Sequence, residues 1–569
     1  MREAHIDTHP PSDARPARLG RVARRVLHGA SLLCCAALIL GGRRAGAQLP
    51  AATLPLSNTE DARTIPKGTV RLRALNAWTR IDEVYDAAAD SAHRLHPLGH
   101  AFSSPALGVR EIPSLMPAQN ALRTLTGDPN LQLNVGQLAS TADSRVVTTP
   151  FTLEYGVTNR LTLGVMVPLV QTHTTVFVTL NPQPRNPRRV GPGFGAANVG
   201  VNPAYLNNPT AQAANKALID SLLTARTGLQ NYVASCQSSG SCPAGDVATA
   251  NQLIAQTTAD SAAIATLYGV DQQTSPFAPI GQAEATIEAN LKALQQQINS
   301  LIGSGYTFTA PNGANGLAAL SQLHQLATAY PGIAYDSLGS PDRISIGDVE
   351  ISAAFKLLDG FADTTRGFAM RALVRGVARL PTGLPSYGIV PFEVGTGTHQ
   401  TGADLGAVLD TRFTRRLMAT LAAQYTAYFS NAAILRVPNS DYSLFPLVPP
   451  VPGTWREGNA IQLEATPRIQ LTDFFSFSGA YALRHQAAAQ YTTNDGSAVP
   501  MFDATTEQRV GLGFSYSTVN RYAVGRSSFP FEVFFTHLET ITASGGLTPK
   551  YRRDQIELRI YYRLFRPGR

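Results

Sequence analysis

Three arginines stand four residues apart, Arg371, Arg375 and Arg379, in a stretch where Phe368, Met370, Ala372, Val374, Ala378 and Leu380 hold the alternate positions. Even and odd positions of a strand point to opposite faces, so the guanidiniums share one face and the apolar side chains the other. At about 3.3 Å per residue the rungs are about 13 Å apart, and the ladder crosses most of a hydrocarbon layer about 30 Å thick. A central Arg facing lipid would cost about 2–4 kcal/mol, so the ladder is expected to face inward. Its chemistry there is ion pairing, or the holding of an anion or a polar group. The same alternation turns Glu154, Glu350 and Lys356 inward, together with Asp404, Asp410 and Arg416. It does so also for Glu464, Arg468, Arg484 and Arg509, and for Glu532, Glu557, Arg559 and Arg563. The signs are mixed and unpaired burial is costly, so cross-strand salt bridges are expected.

Catalytic spacing is missing by comparison. The chain contains no G-x-S-x-G, no H-E-x-x-H and no G-x-x-x-x-G-K-[ST], so neither an enzyme nor a cofactor is expected. His93, His96 and His100 lie close together, but Pro97 and Gly99 interrupt any regular face; a solvated loop is expected there, and no metal site. His537 shares the face of Phe531, Val533 and Phe535 without a hydrolytic Ser on a neighbouring outward face, which makes it a rim residue. Gly395-Thr396-Gly397 is glycine-rich but joins no strand to a helix, so it reads as a loop. Cys236 and Cys242 flank Gln237-Ser238-Ser239-Gly240-Ser241 and are expected to close a small disulfide loop in an oxidising compartment.

The elements that position these residues follow from length and pattern. Of 569 residues only 15% are charged, and 47 Gly and 38 Pro are spread along the chain, which favours one large, turn-rich architecture. No segment after the leader offers about 20 consecutive apolar residues, so any membrane crossing falls to strands. The leader shows Arg21, Arg24 and Arg25, then the apolar run Val26 to Gly42, then Ala45-Gly46-Ala47, and is read as a signal peptide over 1–47. Its removal takes away eight Arg and three acidic residues and lowers the formal +8 to about +3, so nucleic acid is not an expected partner. Residues 48–66 are read as a periplasmic segment and 67–569 as the barrel.

Twelve alternating stretches are read as strands, near 68–79, 145–157, 160–171, 345–358, 366–380, 402–412, 415–429, 460–471, 474–485, 507–517, 528–538 and 551–565. Ile556 to Leu564 separates its faces most cleanly, with Ile556, Leu558, Ile560, Tyr562 and Leu564 opposite Glu557, Arg559, Tyr561 and Arg563. Short links such as Thr158-Asn159, Phe413-Thr414 and Thr472-Asp473 alternate with long ones, the pattern of an outer-membrane barrel. The expected fold class is all-β: a transmembrane antiparallel up-and-down β-barrel of about twelve strands, with a large α-helical insertion in one extracellular loop. Trp78, Tyr155, Phe475, Tyr516, Phe529 and Phe531 fall near strand ends and suit interfacial girdles.

Thr64-Ile65-Pro66-Lys67-Gly68-Thr69, Pro150-Phe151-Thr152-Leu153-Glu154-Tyr155-Gly156-Val157-Thr158-Asn159-Arg160-Leu161-Thr162-Leu163-Gly164-Val165 and Gly347-Asp348-Val349-Glu350-Ile351 resemble the outer-membrane barrel proteins grouped as phenol meta-pathway (MetA-like) transporter-type proteins. The resemblance covers most of the chain outside 172–344. It implies passage of small hydrophobic or aromatic compounds across the outer membrane. One departure is at the end, where Phe565 falls out of phase with Leu564 and Arg566 to Arg569 follow, so the insertion machinery would read the Tyr562 and Leu564 phase.

Within the insertion 172–344 the period changes over about 209–331. Leu218, Leu222, Leu229 and Val233, then Ile287, Leu291, Leu294, Ile298 and Leu301, recur at helical spacing, and about four helices are expected. Breaker-rich links fall at Gly269 to Gly281 and Gly303 to Gly316. The expectation for function is an outer-membrane channel or transporter for small molecules, with hydrophobic or aromatic compounds as the candidate class. The alternative is a surface interaction protein whose helical insertion binds a partner. Expected partners are outer-membrane lipid, the barrel-insertion machinery and a small hydrophobic solute, and a monomer is expected.

Overall fold

The computed structural model describes residues 61–85, 94–182, 197–269, 275–303, 305–314, 316–329, 340–362, 367–386, 393–436, 450–545 and 548–563. The signal peptide 1–47, residues 48–60, His93 and the C-terminal aromatic Phe565 lie outside the described residues.

Twelve strands close an antiparallel barrel. In chain order they are β1 (Thr69–Tyr85), β2 (Asn134–Gly156), β3 (Leu161–Leu180), β4 (Glu350–Asp359), β5 (Ala369–Arg379), β6 (Gly402–Arg412), β7 (Leu417–Tyr428), β8 (Ala460–Gln470), β9 (Phe475–Gln486), β10 (Thr505–Ser517), β11 (Phe531–Ser544) and β12 (Thr548–Arg563). Each pairs with the next, and β12 returns to β1 in the register Thr69↔Arg563 to Ile81↔Tyr551. All twelve expected strands are present, and short turns alternate with long connections except at the end, where the expected long link 539–550 shrinks to 545–547 because β11 and β12 run on toward each other, and the turn-end link 518–530 is the longer of the two.

Alternation builds the wall. Along β3, Thr162, Gly164, Val170, Thr172 and Thr174 are buried while Leu163, Val165, Val167 and Leu169 are exposed. Along β8, Gln462, Glu464 and Thr466 are buried while Ile461, Leu463 and Ile469 are exposed. The outer wall is therefore apolar and the lumen polar, the inverse of a water-soluble fold. This arrangement defines a transmembrane β-barrel.

β1, β2 and β3 have 17, 23 and 20 residues, beyond the roughly 9–11 that a tilted crossing needs. Their surplus projects past one rim and carries a cap. The cap holds the largest hydrophobic core, in which Ile81, Val135, Leu138, Val146 and Val178 of the long strands join the insertion helices. The cap helices are α1 (Met116–Thr126), α2 (Pro209–Ser239), α3 (Asp246–Leu267), α4 (Gln282–Ile302) and α5 (Leu320–Ala329). Four of them, α2 to α5, fall in 209–331 as the spacing predicts. Leu218, Leu222, Leu229, Ile287, Leu291, Leu294 and Ile298 are buried, and the Cys236–Cys242 disulfide joins the end of α2 to the link before α3. Helix α1, in the loop after β1, is an addition to the expected set.

Candidate functional site: the barrel lumen

The lumen face of β5 carries the arginine ladder, and its neighbours β4 and β6 supply the counter-charges. Arg379 reaches Glu350 and Asp404, each at 3.0 Å. Arg371 binds Asp410 at 2.5 Å, and Asp410 also accepts from Thr420 Oγ1 at 2.8 Å. Arg375 lines the cavity between these two pairs, with Glu154 opposite. On β1, Arg71 donates to Glu154 of β2 at 2.5 Å and, across the closing seam, Arg73 donates to Glu557 of β12 at 2.6 Å. Glu557 and Arg559, at 0% and 1% exposure, bind one another at 2.8 Å, and the Arg559 guanidinium lies 4.5 Å from the Phe534 ring. Arg509 binds Glu507, and Arg484 approaches the same carboxylate at 3.7 Å. Glu464 is buried and accepts from Thr466 at 3.4 Å; Arg468, half-buried, is on the same strand face. Glu532 accepts from Tyr561 at 2.5 Å and from Ser517 at 3.1 Å. Lys356 is on the lumen face near the turn end and pairs with Asp359 at 2.7 Å.

Two expected lumen residues are elsewhere. Arg416 is exposed in the turn between β6 and β7, and Arg563 is exposed as the last residue of β12. Strand phase sets the side on which a residue points but not its depth, and at a strand end inward phase opens to solvent.

The larger correction concerns residues 61–66, expected in the periplasm with the rest of 48–66. They lie inside the barrel. Ala62 is fully buried and donates its backbone N–H to Asp410 at 3.0 Å, while Arg63 bridges Asp61 at 2.5 Å and Glu532 at 3.1 Å. Ile65 N–H donates to Thr162 Oγ1 at 2.9 Å. The following residues pin this segment to the β2–β3 turn: Lys67 N–H donates to Asn159 Oδ1 at 3.0 Å and Gly68 N–H to Gly156 O at 2.9 Å. Gly156 is required there, because a Cβ at that position would lie 2.2 Å from Pro66 O. Two of the three motif segments behind the family resemblance are thus in contact.

The third motif secures a closure at the cap end. Asp348 accepts from Gly383 N–H at 2.9 Å, Thr398 N–H at 2.7 Å and Thr398 Oγ1 at 2.9 Å, which folds the β5–β6 loop back on itself. Glu393, Val394, Thr396 and Gln400 of that loop are buried, and Val394 O accepts from Thr172 on the lumen face of β3 at 3.2 Å. Gly395-Thr396-Gly397 is a loop, as read from the sequence.

Between the two closures is a cavity of about 130 Å³. Its lining is mixed: Leu75, Met166, Leu373, Val377 and Val408 are apolar, Thr152, Ser352, Gln424 and Gln555 are polar, and Arg73, Glu154, Arg375 and Asp404 are among the charged residues. A cavity of this size accepts one benzene-sized ring.

Elsewhere, the rings of His96 and His100 stack at 4.5 Å, and no group of three metal-ligating side chains converges among the described residues. His537 Nδ1 lies 2.8 Å from Asp554 Oδ1, both part-exposed on adjoining strands. An aromatic collar surrounds the turn end of β9 to β11: Phe474 and Tyr516 at 5.4 Å, Tyr516 and Phe531 at 5.8 Å, Phe529 and Phe531 at 6.2 Å.

No family profile matches the chain, and no curated protein matches it by sequence. Among solved structures, an outer membrane channel from Pseudomonas putida F1 aligns at 9% identity and TM-score 0.37, covering 90% of this chain and 100% of that one. The P. putida toluene transporter TodX aligns at 9% identity and TM-score 0.23, over 89% and 92% of the two chains. The translocator domain of the autotransporter NalP from Neisseria meningitidis aligns at 6% identity and TM-score 0.26, over 95% and 97%.

Proposed function

We propose that this chain is a channel of the cell outer membrane that passes small molecules about the size of one aromatic ring. The observation that carries the reading is the cavity of about 130 Å³, lined by apolar, polar and charged side chains together and held between two closures of a membrane-type barrel. A hydrophobic or aromatic solute bearing one polar group suits that mixed lining, with the ring against Leu373 and Val377 and the polar group toward Arg73 or Gln555. Membership of the phenol meta-pathway transporter-type group is part of the proposal, and the contact between its first two motif segments supports it. So are export through the signal peptide, assembly by the barrel-insertion machinery and a monomeric state.

The two closures make this structure a closed form. Passage then requires that residues 61–66 or the 393–400 loop yield to the solute. A surface-binding role for the insertion gains no support from helices whose apolar faces are turned into the cap core. The test is uptake: cells with an intact lipopolysaccharide layer should take up a labelled single-ring phenol faster when they carry the protein than when they lack it. Equal rates would contradict the reading.

A further inference from the structure

The two ends of the barrel wall differ in how their cations are paired. On the long strands at the cap end Arg80 binds Asp143 at 2.8 Å, Arg552 binds Asp82, and Lys550 reaches Glu83 at 3.1 Å and Glu539 at 3.3 Å, while beyond the wall Arg94, Lys292 and Arg456 are exposed and, among the described residues, pair with no carboxylate. At the turn end Lys67, Arg160, Arg415, Arg416, Arg526 and Arg563 are all exposed, and among the described residues none of them pairs with a carboxylate. Arg521 stands with them, its guanidinium 5.8 Å from the Phe474 ring. Among the described residues the exposed acids at this level are Asp359, already paired with Lys356, and Asp473.

These cations sit at the margin of the apolar wall. Arg415 and Arg416 lie between the exposed Phe413 and Leu417, Arg526 between the exposed Val524 and Phe529, and Arg563 follows the exposed Tyr562. The aromatic collar described above occupies the same level. Aromatic rings settle at the headgroup boundary, and an Arg one residue further out extends its stem along the acyl region and its guanidinium to the phosphates. We infer that this rim is a binding surface for anionic glycerophospholipid headgroups in the leaflet at the turn end. The choice of lipid over a soluble acidic protein rests on the collar, because a surface built for a water-borne partner has no need of rings at membrane depth. Each cation near an anionic surface strengthens association about fivefold at low salt, an effect screened within a Debye length.

The inference rests on the barrel lying in a membrane, not on the solute it passes, so its test reads lipid and not uptake. The purified protein is reconstituted in phosphatidylcholine vesicles, and the immobilised fraction of spin-labelled phosphatidylglycerol is compared with that of spin-labelled phosphatidylcholine. The expected result is a preference of about threefold or more for phosphatidylglycerol at low salt, falling toward one in concentrated salt. Arg415→Gln/Arg416→Gln/Arg521→Gln/Arg526→Gln should abolish it, while Arg145→Gln/Lys216→Gln at the cap end should leave it intact. If the fourfold variant lacks heat-modifiable mobility, the pairs Arg415→Gln/Arg416→Gln and Arg521→Gln/Arg526→Gln are read separately, and each should lower the preference. No lipid preference in the wild type overturns the inference and leaves a soluble acidic partner for the rim. A preference that survives the Gln variants overturns it as well.

Discussion

Arg379 stands midway between Glu350 on β4 and Asp404 on β6, 3.0 Å from each carboxylate. One guanidinium thereby ties three neighbouring strands along the lumen wall. Arg379→Ala would strand two carboxylates and should destabilise the barrel by about 3–5 kcal/mol. The check is the temperature at which the folded band is lost in heat-modifiable electrophoresis. Replacing the whole triad by apolar residues of similar volume should recover most of that loss. Equal instability in the two variants would mean that packing, not charge, sets the cost.

The segment 61–66 is held to the wall by a small number of polar contacts, chiefly Arg63 to Glu532, Ala62 to Asp410 and Ile65 to Thr162. Arg63→Ala should release it and raise single-channel conductance in planar bilayers while the barrel keeps its mobility shift. Unchanged conductance would locate the effective closure at the 393–400 loop.

Gly156 gives an independent route to the same end. Its missing Cβ leaves room for Pro66 O, so Gly156→Ala should displace the segment without disturbing the lumen charges. With Ala62→Cys as reporter, thiol labelling should be slow in the parent and faster with Gly156→Ala. Equal labelling would show that the turn does not pin the segment.

The cap carries a pH dependence. Burial pushes the Asp260 carboxyl up to about 6, against the lowering effect of its hydrogen bond with Gln256. The folded form then holds a proton more tightly than the unfolded chain, so this contribution is full below about pH 4 and is lost as pH rises through about 6. The melting of the helical circular-dichroism signal should fall in temperature from pH 5 to pH 7. Asp260→Asn should flatten that slope, and an unchanged slope would assign it to another group.

Legibility from sequence followed exposure to lipid. Where one strand face meets hydrocarbon, period two is enforced, and all twelve strands could be read, as could the inward turn of Arg371, Arg375 and Arg379. Arg71 and Arg73 are in phase on β1 and bind Glu154 and Glu557, yet they do not figure among the expected lumen residues; alternation from Val70 to Ala74 is the signal that finds them. The period of Ala118, Ala121, Leu122 and Leu125 likewise announces α1. Residues 61–66 and 393–400 leave no such trace, because an irregular segment inside a lumen is held by partners hundreds of positions away, as Ala62 is by Asp410. Nor does phase report depth, which is why Arg416 and Arg563 fall at the rim.

Uptake through a narrowed lumen tests the central claim most directly. Val377 lines the cavity, and Val377→Trp would fill much of its roughly 130 Å³. Uptake of a labelled single-ring phenol should be measured in cells carrying the parent, the Val377→Trp variant, or neither, with folded yield matched by the heat-modifiable band. The account predicts that the parent exceeds the empty cells at least severalfold and that Val377→Trp falls back toward them. A variant that takes up the phenol as fast as the parent would contradict passage through this lumen.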